Sequence, residues 1–187
     1  MPVLKVICHQ DPRFARMSVP KYHDDEALES VISYCQDFNK TATELVGGFG
    51  INVSQAAYEM DLLAHAYGKQ KGLRLRHWIL SFTDEEVRKV KRIDRKVYPE
   101  LKKFAWYAAA YYGSQYQIVF AVHTDSHCPH IHFVMNTVSY RTGLKYDGKK
   151  RDYFDYRQYL SAFFAQYGMQ VIPVPDQPNQ EYGIFTF

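Results

Sequence analysis

An α+β fold, with a central antiparallel sheet of about five strands and helices packed on it, is what this sequence predicts on three observations. Ile118–Val122 and Pro129–Asn136 are two β-rich apolar runs, and the gap between them is too short for a helical crossover, so they pair antiparallel. Apolar residues at helical spacing recur between short strand-like runs, in the order β-α-β-α-β-α-β-β-α-β. That order suits an antiparallel or mixed sheet with helices on it better than a doubly wound parallel one. The chain has 187 residues, 47% of them hydrophobic, which fits one domain over 1–187 with its own core.

Taken in order, Val3 to His9 reads as a first strand and Pro12 to Tyr22 as a loop. Asp24 and Asp25 offer a helix start, since acidic residues suit the first turn. Leu28, Val31, Ile32 and Cys35 then recur at helical spacing, with Tyr34 near the helix end and Asn39, Lys40 and Thr41 closing it. Glu44 to Val53, with Gly47, Gly48 and Gly50, reads as an irregular strand. Ser54 is the expected cap of a second helix whose apolar face is Ala57, Met60, Leu63, Ala64 and Tyr67. Leu73 to Phe82 is a third strand. Thr83 followed by Glu86 matches a capping box, and the charged stretch Glu85 to Tyr98 leads into a helix that starts at Pro99 and runs to Gly113. After the two paired strands, Tyr140 to Tyr153 is a polar, basic loop, and Phe154 to Tyr167 a last helix ended by Gly168. Met169 to Val174 is one more short strand, and 175–187 an extended tail.

A net charge of +3 permits a polyanionic partner without demanding one. Cys8, Cys35 and Cys128 make an odd, irregularly spaced set, which suggests neither a disulfide framework nor a thiolate zinc module and fits a reducing cytoplasm. Neither a signal peptide nor a membrane-spanning run is read from the sequence.

The chemistry concentrates at the paired strands. Side chains alternate along a strand with period two, so His130 and His132 share one face, with Ile131 and Phe133 on the other. The hairpin brings His123 beside them. Three imidazoles converging from adjacent strands form a candidate divalent-metal site with an open position. His127 lies in the turn, off that alternation, and is expected not to be a ligand.

His130-Ile131-His132, continued by Phe133-Val134-Met135-Asn136 and preceded by His123-Thr124-Asp125, resembles the signature of the HUH endonucleases, in particular the tyrosine relaxases or mobilisation nucleases (MobA/VirD-like, MOBP-type). Tyr34, with Lys40-Thr41 after it, is similar to their first motif. His77-Trp78-Ile79-Leu80-Ser81-Phe82 with Glu85 or Glu86 looks like the second, and Tyr167-Gly168-Met169 like the close of the nicking domain. The resemblance covers about residues 26 to 174, and it rests on motif order and spacing together. It implies a palm-like sheet, a bacterial cytoplasmic setting and strand-specific nicking of DNA at an origin of transfer. The partners implied are single-stranded origin DNA, relaxosome accessory proteins and a coupling protein, with no membrane.

The resemblance also implies roles. Tyr34 is the nucleophile giving a 5′-phosphotyrosyl link, with Tyr22 its main competitor. His123, His130 and His132 hold Mg or Mn, and the same imidazoles would also hold Zn or Ni. Asp125 either accepts a hydrogen bond from a ligand imidazole or helps deprotonate Tyr34. Ser81 is a phosphate donor or a strand residue at a polar edge, and Lys40 and Thr41 contact phosphate or cap the helix end. His77 is expected to be a plain strand residue rather than a DNA contact. DNA affinity is expected from Lys69, Lys71, Arg74 and Arg76, from Arg88, Lys89, Lys91, Arg92, Arg95 and Lys96, and from Lys145, Lys149, Lys150 and Arg151.

Three other readings share parts of this pattern. A rolling-circle replication initiator has the same chemistry, but its Tyr generally follows the His cluster, whereas Tyr34 precedes it. A His-site metal phosphoesterase would work without a covalent tyrosine. A DNA-binding protein with a structural metal would not nick at all.

Overall fold

The computed structural model describes residues 1–7, 22, 25–93 and 96–173. The expected strand end at His9, the loop before Tyr22, Asp24, Arg95 and the tail 175–187 lie outside the described residues. The elements are β1 (Val3–Ile7), α1 (Asp25–Cys35), β2 (Val46–Phe49), α2 (Ala56–Ala66), β3 (Leu75–Ser81), α3 (Asp84–Ile93), α4 (Val97–Gly113), β4 (Tyr116–His123), β5 (His130–Ser139), α5 (Lys150–Phe164) and β6 (Ile172–Pro173). The six strands stand in the order β2-β4-β5-β3-β1-β6. Every pairing is antiparallel except β1 with β6. This is the α+β arrangement expected, and all six strands of the expected order join one sheet that was anticipated to hold about five. No described helix is long and apolar enough to cross a membrane.

Local chemistry explains where element ends differ from expectation. The glycine-rich strand is shorter than Glu44–Val53, because 3-10 turns at Thr43–Leu45 and Val53–Gln55 flank it. Ser54 lies inside the second turn, which Asn52 caps by accepting from Ser54 N at 3.2 Å through Oδ1, and α2 follows from Gln55 without a side-chain cap. Glu86 reaches back as the capping box requires, accepting from Thr83 N at 2.6 Å and Thr83 Oγ1 at 2.8 Å. The charged stretch after it is a helix in its own right, α3, anchored by buried Val90. α4 begins ahead of Pro99, which costs nothing in a first turn whose N–H groups have no partner within the helix. α5 likewise starts before Phe154, since Asp152 caps it by accepting from Lys149 N at 3.0 Å. Its end at Gly168 uses the left-handed conformation, φ 64°, that only glycine adopts freely.

The two sheet faces carry different layers. Trp78, Leu80, Phe120, Ile131 and Phe133 point to one side and join Phe104, Leu160 and Phe164 of α4 and α5 in the larger core. The rings of Trp78 and Phe133 stack at 5.2 Å. On the other side, α1 lays Leu28, Val31, Ile32 and Cys35 on Val119, Ala121 and Val134, with Ala56 and Met60 of α2 alongside. Fully burying each such aliphatic or aromatic side chain contributes about 1.5–3 kcal/mol. α1 ends over the part of that face where β4 stops and β5 begins.

Candidate metal centre and nucleophile

At that end of the sheet, strand register assembles the site. His123 pairs with His130, Ala121 with His132, and Ser81 with His130 from the other side. Residues directly opposite in an antiparallel pair share a face, so the three imidazoles and the Ser81 hydroxyl emerge together. Ring centroids lie 4.2 Å apart for His123 and His132, 4.9 Å for His130 and His132, and 5.2 Å for His123 and His130. One ligating atom from each falls within 4.8 Å of the others. His127 is exposed in the turn and is not part of this group.

Each imidazole is held through its other nitrogen. His123 Nε2 lies 2.9 Å from the Cys35 carbonyl. That oxygen belongs to the last turn of α1, where carbonyls have no partner within the helix. His130 Nδ1 sits 3.0 Å from the Cys128 carbonyl, and His132 Nδ1 sits 2.8 Å from His77 Nε2. His77 Nδ1 in turn meets the Tyr22 hydroxyl at 3.2 Å. This leaves no imidazole N–H for Asp125, whose carboxylate is exposed in the turn. The orienting partner expected of it is supplied instead by two backbone carbonyls and a histidine.

The donor set fits a divalent cation. His123 and His132 are 0% and 2% exposed, and each buries a nitrogen with no hydrogen-bond partner, Nδ1 of His123 and Nε2 of His132. Buried polar atoms without partners are rare, and bare imidazole nitrogens are metal ligands. Burial, reinforced by His77, His123 and His130, pushes His132 far below the usual imidazole value. Burial also lowers His123, against an upward pull from the Cys35 carbonyl. His77 is brought down to about 3, chiefly by burial and then by the charges of His123 and Lys5. All three are therefore neutral at neutral pH, and for His123 and His132 that is the ligating form.

Tyr34 stands over this group. Its ring centroid is 5.4 Å from that of His132 and 5.7 Å from that of His123, and the residue is 46% exposed. The stagger of α1 explains this: Val31, Ile32 and Cys35 face the sheet, so Tyr34 leans outward at the helix end. The following loop is tied to the His strand twice. Thr41 Oγ1 donates to Val122 O at 2.7 Å, and Thr124 N donates to Lys40 O at 2.8 Å. Thr41 is thus buried and clamps the loop rather than capping α1 or facing solvent. Lys40 places Nζ 3.6 Å from the Tyr34 ring centroid and 3.6 Å from Asp37 Oδ2. Tyr22, the competing tyrosine, is 4% exposed, with its hydroxyl on His77.

Two expected DNA contacts are placed elsewhere. Arg74 is buried, held by Asp25 and, at 2.6 Å, by Asp61, so its charge is neutralised inside the fold. Arg76 pairs with Met135 and therefore lies on the opposite sheet face from the triad, over the Tyr146 ring at 5.6 Å. α3 packs Val87 and Val90 into that opposite layer, while Lys91 and Lys96 line a groove with Ser126, His127 and Pro129 of the turn between β4 and β5, and Lys145 Nζ reaches the carbonyls of Lys71 and Leu73. Sequence reasoning overlooked Lys5, which is opposite Ile79 on the triad's face, and underrated His77. Period-two counting from Ile79 and Ser81 would have put His77 on this face, whereas Lys5 reaches it only through the β1–β3 pairing.

Residues 34–169 match the family described as relaxase, MobA/VirD2-like, nuclease domain. The fold is similar to that of the MobM relaxase domain (MOBV; Mob_Pre), solved bound to plasmid pMV158 oriT DNA with Mn. The likeness has a TM-score of 0.59 at 12% identity and covers 96% of this chain and 92% of that one. No curated protein matches the chain in sequence.

Proposed function

The chain belongs to the MobA/VirD2-like relaxase nucleases, and from that premise we propose that it nicks one DNA strand at an origin of transfer through Tyr34, for mobilisation of the element that encodes it. The observation that carries this reading is the seat of Tyr34, an exposed phenol whose ring lies 5.4 Å from His132 and 5.7 Å from His123. The Tyr34 oxygen attacks the scissile phosphorus as the phosphorus–O3′ bond breaks. The products are a 5′-phosphotyrosyl link and a 3′-oxygen that takes up a proton. Storing the phosphodiester in this bond allows the strand to be resealed later.

His123, His130 and His132 would hold a divalent cation, Mn or Mg, which when bound draws charge from the scissile phosphate and orients it for in-line attack. The neighbouring structure's Mn supports this choice. Lys40, beside the Tyr34 ring, and Ser81, opposite His130, would meet phosphate oxygens. Asp125 stands two residues beyond His123 and raises its proton affinity slightly through charge. With every imidazole N–H already engaged, the role left to Asp125 is to receive the Tyr34 proton. Relaxosome accessory proteins and a coupling protein are the partners this role calls for.

The test is a nicking assay on single-stranded origin DNA with Mn, comparing the parent with Tyr34→Phe on a denaturing protein gel. A protein–DNA band that disappears in Tyr34→Phe and with chelator is expected. Cleavage that persists in Tyr34→Phe without an adduct would instead identify a metal phosphoesterase.

A further inference from the structure

Behind the triad lies a chain of polar groups that hydrolysis or transesterification does not itself require: His132 Nδ1 to His77 Nε2 at 2.8 Å, then His77 Nδ1 to Tyr22 Oη at 3.2 Å. His77 is 6% exposed and Tyr22 4%, so this chain is sealed from water. The His77 and His132 rings lie 5.1 Å apart with an interplanar angle of 29°.

The nitrogens admit only two proton arrangements. In one, His77 Nε2–H donates to His132 Nδ1, and His132 then carries its proton on Nε2. That places an N–H at a buried atom with no partner and removes the lone pair a cation needs. In the other, His132 Nδ1–H donates to His77 Nε2, His77 Nδ1–H donates to the Tyr22 hydroxyl, and His132 Nε2 turns a bare lone pair toward His123 and His130. Unsatisfied buried N–H groups are rarer than under-satisfied acceptors, so the second arrangement is favoured even before a cation arrives.

We propose that His77 is a positioning residue for the metal centre: it accepts the Nδ1 proton of His132, so that Nε2 faces the triad as a ligand, and Tyr22 holds the His77 ring for that task. The inference rests on the metal-triad reading above and adds to it an imidazole where such sites commonly use a carboxylate or backbone carbonyl. It also explains why an imidazole is buried at this position of β3.

Calorimetric titration of the full chain with Mn tests it, on the parent, His77→Phe and His77→Gln, after chelator treatment. Gln sets its amide oxygen near the Nε2 position and restores an acceptor; Phe fills the volume without one. Loss of such an outer partner costs about 10–100-fold in affinity, so His77→Phe is expected to bind Mn at least about tenfold more weakly, while His77→Gln stays within about threefold of the parent. Parent-like affinity in His77→Phe would overturn the proposal, as would equal losses in both variants. A second reading needs no variant. Nitrogen-15 spectra of the metal-free parent labelled at histidine are expected to show His132 protonated at Nδ1 and bare at Nε2. The reverse assignment overturns the proposal. A parent that binds no Mn would refute the triad itself, a failure distinct from a parent that binds while His77→Phe binds equally well.

Discussion

Thr41→Val isolates the link between the nucleophile loop and the His strand. The substitution conserves shape and removes one hydroxyl, whose hydrogen bond to Val122 O measures 2.7 Å at a residue 5% exposed. A buried hydrogen bond of this kind contributes about 0.5–1.5 kcal/mol net, with more lost if the carbonyl is left unsatisfied, so about 1.5 kcal/mol of stability should go. For a chain of this size, that lowers Tm by about 3–6 °C. One tie between loop and strand remains, Thr124 N to Lys40 O, and the end of α1 keeps its own, through Cys35 O and His123 Nε2, so the fold and the triad persist. If the free energy of the lost tie serves to hold Tyr34 at attack distance, nicking slows by up to about tenfold, the factor equivalent to about 1.4 kcal/mol. Mn affinity is unchanged. The assay is the single-turnover nicking rate on origin DNA at saturating Mn, beside a thermal melt. A melt that falls as calculated, with a nicking rate within about twofold of the parent, would refute the claim that this clamp positions the nucleophile.

Arg74→Met should lower Tm, since it removes the buried partner of Asp25 and Asp61, yet leave anisotropy-measured DNA affinity unchanged; weakened DNA binding in a well-folded variant would restore Arg74 as a contact. Lys40→Gln should slow nicking more than it weakens Mn binding, because Nζ lies against the Tyr34 ring rather than on the triad; equal effects on both would contradict this. The pH dependence follows from His77, whose folded value of about 3 lies below its ordinary 6.5. The unfolded chain therefore takes up a proton that the folded chain refuses, so His77's contribution to stability is complete above about 6.5 and is lost as pH falls toward about 3, at about 1.4 kcal/mol per pH unit. Urea unfolding of chelator-treated protein should show about 2 kcal/mol less stability at pH 5 than at pH 7 from this group alone; no decline would contradict a buried, neutral His77.

The triad was legible because it obeys a local rule. Period-two alternation puts His130 and His132 on one face, and a short hairpin fixes His123 beside them. Tyr34 was found through a motif, not through physics, for its exposure depends on which side of α1 the sheet accepts. The errors came from non-local facts. Arg74 reads as a DNA contact until Asp25 and Asp61 are seen to enclose it, and nothing in a basic strand segment announces two acids brought from other helices. Arg76 was within reach, since alternation from Ser81 already puts it on the far face. Of the two roles expected of Asp125, the orienting bond is one that the α1 terminus supplies to His123 through Cys35 O, a consequence of how the helix docks. Element ends moved where capping was misjudged, as with Ser54, which sits inside a 3-10 turn capped by Asn52 ahead of α2.

The most direct measurement of the central claim is peptide mapping of the protein–DNA adduct by mass spectrometry after nuclease trimming. A nucleotide 5′-phosphate joined to the peptide containing Tyr34, with fragment ions placing it on that residue, is the predicted result. A nucleotide on Tyr22 or any other residue, or nicked DNA with no adducted peptide, would contradict the account.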